Sequence, residues 1–296
     1  MSIRGCAVTD RDDLLASLSR AEARSAGCGR LLTHLPRRLR LLMHHLTGPA
    51  EVDCPVFTGQ QMRVVLPEIV GAEIYRRTYI EPTLTRVLLD HLRPGMVFVD
   101  VGAHYGYYSI VASEAVGQRG LVLAFEPARH TFQVLLRNVG RLENVRAHQL
   151  ALYSASGTMD LRDFGIRHSA LNTLTGTARV PQAERQRLRG TAYPVSCVTL
   201  DELLLPGGVM PDVVKLDAEG SELSILQGMS RVLADGGPMV TVETGDYEGM
   251  LSPRTAECID YLATFGYHCL EYANGLRPHG RRSRYGYDNL YFMRTV

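Results

Sequence analysis

Long apolar runs are missing from this chain. No stretch approaches the ~20 residues that cross a bilayer, and the first residues lack the apolar core of a secretory signal. The expectation is a cytoplasmic protein without integral membrane association. Cysteine is sparse and scattered. Cys6, Cys28, Cys54, Cys197, Cys258 and Cys269 form no C-x-x-C pair, which excludes a zinc pattern and a small disulfide scaffold. Net charge is nearly absent, since 32 basic against 31 acidic residues leave +1, so no nucleic-acid partner is expected. Lysine is almost missing too: Lys215 stands alone against 31 arginines. A GC-rich genome explains the bias. A lysine that survives it inside an apolar strand marks a place that needs a compact ammonium, or survives by chance.

What is present suffices for a full core. The chain has 296 residues, 45% of them hydrophobic, enough for one large domain or a domain with an appendage. Residues 96–109 organise the rest. A β-rich run through Val101 breaks at Gly102 and resumes after Gly106 as an apolar-periodic helix. Gly102 permits a tight turn and close ligand approach, and Gly106 lets the helix start lie against the strand. The spacing is Asp-x-Gly-x-x-x-Gly, without the Gly-x-Gly-x-x-Gly that seats a pyrophosphate. An acidic residue at such a turn, Asp100, suits a cationic ammonium better than two phosphates. A second strand, 121–125, ends at Glu126, 26 positions beyond Asp100. That is about where a doubly wound sheet places its ribose-binding carboxylate, ~20 residues past the glycine loop.

The alternation continues along the chain. Residues 1–50 hold eight arginines against four acids, and leucine runs at 13–18 and 37–46 predict one or two amphipathic helices. These helices are expected to pack on the main domain or a second subunit, giving a homodimer through the N-terminal region, with an acidic lipid surface as the alternative. Residues 54–67 predict a hairpin, 83–92 a helix, and 145–152 a third strand followed by an antiparallel partner at 159–164. The polar stretch 165–192, with Ser169, Asn172, Thr173 and Thr175, reads as a functional or disordered loop. Thr199 and Glu202 form a capping box. Strands at 212–217 and 238–243 follow, the first leading to a helix through 233. Ser252 and Pro253 start a further helix, and strands at 267–272 and 289–293 close the pattern.

These units predict an α/β fold: a Rossmann-like, doubly wound, mostly parallel sheet with helices on both faces. An N-terminal helical and hairpin appendage (1–72) precedes the main domain (73–296). Four strands end in a carboxylate, at Asp100, Glu126, Asp217 and Glu243, where such sheets bind ligands. A carboxylate cluster there can hold a ribose, an ammonium, a divalent cation or a general base. S-adenosylmethionine needs the first two together, which Glu126 and the Asp100/Gly102 turn provide. Asp217 with Glu243 can instead hold Mg²⁺.

Residues 98–109, 124–127, 195–201, 214–222 and 288–292 then carry a resemblance. The chain resembles the FkbM family of S-adenosylmethionine-dependent methyltransferases from about Glu73 onward, with His104 standing where the family has asparagine. The resemblance implies a class I methyltransferase type of fold and O-methylation of a hydroxyl on a small-molecule acceptor, be it a natural product of secondary metabolism, a sugar or a glycolipid. It implies Asp100, Gly102 and Gly106 around the methionine part, Glu126 at the ribose and Ala151 by the adenine, with His104 and Asp217 also binding the cofactor. Glu81 would close over the cofactor, or else merely cap the helix at Pro82. Asp217 is the leading residue for acceptor binding or proton removal, with Lys215 and Glu219 beside it; a buried Lys–Asp pair that fixes the strand is the alternative. Glu222 is expected to be structural. His104 and His168 are candidate bases because imidazole titrates near neutrality. The 277–284 arginines with Tyr285 and Tyr287 either receive an anionic or sugar acceptor or are solvated. The remaining functional alternatives are a nicotinamide-dependent oxidoreductase and a non-catalytic cofactor-binding scaffold.

Overall fold

The computed structural model describes residues 10–26, 35–174, 189–245 and 255–294, the side chains of 35–38 excepted. Cys6, Cys28, Thr175 and the Ser252, Pro253 cap lie outside the described residues. The N-terminal elements are α1 (Arg11–Ala26), α2 (Leu35–Thr47), β1 (Ala50–Pro55), β2 (Gln61–Leu66), α3 (Ile69–Arg77) and α4 (Pro82–His91). Next come β3 (Val97–Val101), α5 (Tyr107–Val116), β4 (Leu121–Phe125), α6 (Arg129–Val139) and β5 (Val145–His148). The middle of the chain forms β6 (Ala151–Leu152), β7 (Gly157–Asp163), a 3₁₀ segment (Ile166–Leu171), β8 (Thr191–Val198) and α7 (Leu200–Leu204). Then follow β9 (Val213–Leu216), α8 (Glu222–Gln227), β10 (Met239–Thr244), α9 (Thr255–Ala263), β11 (Tyr267–Tyr272), β12 (Leu276–Pro278) and β13 (Asp288–Arg294).

Eight strands make one sheet in the order β12-β11-β13-β10-β9-β3-β4-β5. The five from β5 to β10 run parallel, and β13, β11 and β12 add antiparallel pairings. This is the mixed α/β, mostly parallel architecture that the sequence predicts. Side chains alternate along each strand, so β3 and β9 serve two cores. Phe98 and Val213 face the cluster built with α1, the hairpin and α3–α6. Val99, Val101, Val214 and Leu216 face the cluster built with α7–α9. Helix α1 joins the first core through Leu14, Leu18 and Ala21, one stripe of its surface, and packs on α4.

Three local expectations need correction. The third strand breaks after His148, and Ala151–Leu152 pair in parallel with β8 in a separate sheet, β6-β8-β7. β7 likewise pairs with β8, from Gly157↔Cys197 to Asp163↔Thr191, and not with the third strand. That seven-residue ladder satisfies more backbone groups than the edge of β5 could. The helix expected through residue 233 ends at Gln227. A new turn starts because Asp201 accepts the amides of Arg231 and Val232, both at 2.9 Å.

Candidate active site

The four carboxylate-ended strands are neighbours, β10-β9-β3-β4. Their carboxyl ends open into a cavity of about 550 Å³ that lies beside the crossover between β3 and β9. The chain crosses itself closely there. Gly102 has φ +70°, and a Cβ on it would lie 1.8 Å from the Asp217 carbonyl oxygen. The Asp217 amide in turn donates to the Val101 carbonyl at 3.3 Å. Glu222 fixes the turn that follows by accepting the Ala218 and Gly220 amides at 3.1 and 3.3 Å.

Glu81, Gly102, His104, Glu126 and Ala151 all line this cavity, as do Lys215, Asp217, Glu219 and Glu243. Asp100, Gly106 and His168 do not. Asp100 is 0% exposed and lies beneath the floor, where Ser109 Oγ donates to it at 2.7 Å. Its register partner on β9 is Lys215, whose Nζ stands 3.3 Å from Asp100 and 3.4 Å from Asp217. Gly106 holds space for α6, not for β3: a Cβ there would meet Leu135 Cδ1 at 2.6 Å and Val139 Cγ1 at 3.2 Å. His168 is exposed, whereas its neighbour Ser169 is buried and faces the cavity. Among the described residues no arginine lines the cavity. Arg281 and Arg282 pair instead with Asp260 and Glu271, Tyr285 is buried against His279, and Tyr287 alone of that loop reaches the wall.

Each buried charge has an identifiable restraint. Burial alone would lower the pKa of Lys215, but Asp217, Asp100 and Glu81 outweigh it and hold the ammonium above its ordinary value. Lys215 is therefore a fixed cation that also donates to the Gly102 carbonyl at 3.2 Å, and it has no capacity as a base. Glu126 accepts the His104 amide at 3.0 Å and the Ala128 amide at 2.9 Å. Burial still pushes it up to about 7, against those bonds and Lys215. Glu81 occupies the N-cap position of α4 without capping it. Its carboxylate accepts instead from Tyr108 at 2.7 Å, Asn289 at 2.8 Å and Tyr287 at 3.1 Å. Burial and the nearby Asp217 raise its pKa. His104 is driven down to about 3, chiefly by burial. Its Nε2 lies 2.9 Å from Ser169 Oγ, which is also 3.0 Å from the Tyr105 hydroxyl. A neutral imidazole held this way positions a loop and is a poor proton acceptor at neutral pH.

Asp217, Glu219 and Glu243 each bring a carboxylate oxygen within 4.8 Å of the other two. That group has the ligand chemistry for a divalent cation. Sequence reasoning paired only the first and last of these, because Glu219 enters through a left-handed backbone turn (φ 47°) that spacing does not reveal. It also missed Tyr108 and Asn289 as holders of Glu81; a lone Asn in an otherwise apolar closing strand was the available signal.

Residues 100–269 match the family profile described as the Methyltransferase FkbM domain. Hexuronic acid methyltransferase AglP of Haloferax volcanii is 30% identical over 155 residues, which cover 52% of this chain and 58% of that protein. Methyltransferase sdnD of Sordaria araneosa is 30% identical over 175 residues, covering 51% of this chain and 67% of the relative. A crystal structure of Methyltransferase FkbM from Methylobacillus flagellatus KT superposes with a TM-score of 0.42 at 17% identity, over 75% of this chain and 52% of that one. A superposition this loose adds nothing to the sheet order described above.

Proposed function

The chain belongs to the FkbM methyltransferase family, and on that premise we propose that it is an S-adenosylmethionine-dependent O-methyltransferase. Its acceptor is a hydroxyl of a sugar, glycolipid or other natural product. The observation that carries this reading is the charge of the cavity wall. Glu81, Glu126, Asp217, Glu219 and Glu243 face a space whose one lysine or arginine, among the described residues, is Lys215. S-adenosylmethionine brings a sulfonium and an ammonium against a single carboxylate, so it complements an acidic wall. An anionic dinucleotide does not.

In this reading Glu126 accepts the ribose hydroxyls, and the Gly102–His104 turn receives the methionine part. Ala151, with Leu150, Leu152 and Phe125, offers the apolar slot for adenine. When bound, the cofactor supplies an activated methyl group. The protein's own task is to align the acceptor oxygen, exclude water and take up its proton. We assign the proton to Asp217 or Glu219, with Lys215 holding Asp217 in place and Asp100 acting only through Lys215. Lys215 is already committed to two carboxylates, so a neutral hydroxyl suits the cavity better than a uronate carboxylate. The appendage (1–72) belongs to the same proposal as a support for the methyltransferase domain (73–296). Leu14, Leu18, Met62 and Val64 share a core with α4–α6.

Calorimetric titration of S-adenosylhomocysteine tests the reading. Micromolar binding that is lost in Glu126→Ala is the expected result, and no binding to the wild type would sink it. The carboxylate triad favours a second reading, in which a divalent cation orients the acceptor. Methyl transfer abolished by EDTA and restored by Mg²⁺ would select it; transfer indifferent to EDTA would remove it.

A further inference from the structure

Helix α2 carries a stripe that no other described residue covers. Leu39, Leu42, Met43 and Leu46 recur at i, i+3, i+4 and i+7, the spacing of one helix face. They are 53%, 56%, 56% and 79% exposed. Leu41, on another side, packs into the core, and the helix rests on α3 and β2. The helix is thus held by a lesser contact while its larger apolar face points outward. Ile69, the first residue of α3, is 71% exposed and also lines the cavity. A further exposed apolar side chain thus stands at the cavity rim, on the helix against which α2 rests.

Charge selects the occupant. Residues 35–50 contain Arg37, Arg38, Arg40, His44 and His45 and no acid at all, although the whole chain is balanced to +1. A second copy docked through a two-fold axis would set this basic segment against its own image, so self-association is poorly served. We propose that α2 seats the protein on an anionic lipid surface, apolar stripe inserted, Arg40 among the headgroups, and the cavity rim turned toward the bilayer. Interfacial helices have this build, with modest overall hydrophobicity, one apolar face and flanking arginines. No helix among the described residues is long and apolar enough to cross a membrane, so the association is peripheral. It follows that the acceptor hydroxyl is carried on a lipid. That last step rests on the methyltransferase reading of the cavity, whereas the docking does not.

The test is co-sedimentation of the full chain with vesicles of phosphatidylcholine alone or with phosphatidylglycerol added. Binding should favour the anionic vesicles by about tenfold or more and should weaken as salt rises. The double variant L42E/M43E should lose roughly tenfold or more of that binding. Both side chains are exposed, so the variant should keep the wild-type circular dichroism and Tm. Arg40→Glu should narrow the preference for anionic over neutral vesicles. Wild-type protein that does not sediment, or equal sedimentation of wild type and L42E/M43E, overturns the proposal. So does a solution dimer that L42E/M43E dissolves, which would give the face to a second copy. Vesicle binding without S-adenosylhomocysteine binding would leave the docking intact and sink only the enzymatic reading.

Discussion

Asp100 and Glu126 stand at the ends of adjacent strands, 0% and 7% exposed, yet the protein holds them by different means. Asp100 has a cation and a hydroxyl: Lys215 at 3.3 Å and Ser109 at 2.7 Å. Glu126 has two backbone amides and, among the described residues, no cation in direct contact, and burial pushes it up to about 7. The two are alike in sequence position, but one is neutralised as framework and the other is left facing the cavity at an energetic cost. A buried acid that is not paired off is where a ligand has something to gain.

Removing the cation should break the comparison most severely. Lys215→Met leaves Asp100 buried and uncompensated, with an expected loss of about 3–5 kcal/mol, read by chemical denaturation. Adding Asp100→Asn should restore part of it. A double variant no more stable than Lys215→Met would mean that the pair is not what ties β3 to β9.

Glu126 should respond to pH in a way that its neighbour does not. Its folded pKa is raised from 4.5 to about 7, so the folded state holds this proton more tightly than the unfolded chain. That contribution is complete below about pH 4.5 and is lost as pH rises through about 7. Glu126→Gln cannot lose it. The variant should gain on wild type between pH 4.5 and 8, by on the order of 3 kcal/mol. A stability difference that stays flat over that range would place Glu126 in a more solvated setting. Affinity for the cofactor in the wild type should rise over the same window, since the ionised form is the better acceptor of ribose hydroxyls.

Smaller effects sharpen the contrast between residues that line the cavity and those merely near it in sequence. Ser169→Ala removes the hydroxyl shared by His104 and Tyr105. It should cost about 1 kcal/mol and loosen the 3₁₀ segment, visible as faster amide exchange at residues 166–172. His168→Ala, one position away on an exposed side chain, should change stability by less than ~0.5 kcal/mol and leave methyl transfer untouched. A large loss of activity there would reinstate it as a base.

The alternation of strands and helices, the glycine turn and the four terminal carboxylates were legible because each is a local pattern: a β-rich run, a turn residue, an acid at a fixed place. Other features were not, for reasons that the structure makes plain. Residues 145–152 have one continuous β pattern, but among the described residues it is β8, far along the chain, that offers Ala151 and Leu152 a ladder partner. Gly106 looked like a strand neighbour and is a clearance for Leu135 and Val139 of α6. The arginines near Tyr287 could be read equally as an acceptor site or as a solvated loop, and the structure pairs two of them with Asp260 and Glu271. Helices α1 and α2 share the same amphipathic pattern, yet α1 buries its stripe against α4 and α2 leaves its own in the open. Periodicity tells which residues share a face and is silent about what covers it.

By itself, then, the sequence determined the alternation of strands and helices, the left-handed turn that only glycine fits at 102, and which acids end the strands. These follow from backbone sterics and side-chain period, which act over a few residues. Tertiary structure alone decided how the acids divide. Parallel register set Asp100 beside Lys215, 115 positions apart. The β10-β9-β3-β4 order gathered Asp217, Glu219 and Glu243 on one wall. Contacts between distant segments depend on which strands pair, and burial by those contacts decides which charge is silenced and which is left to meet a ligand.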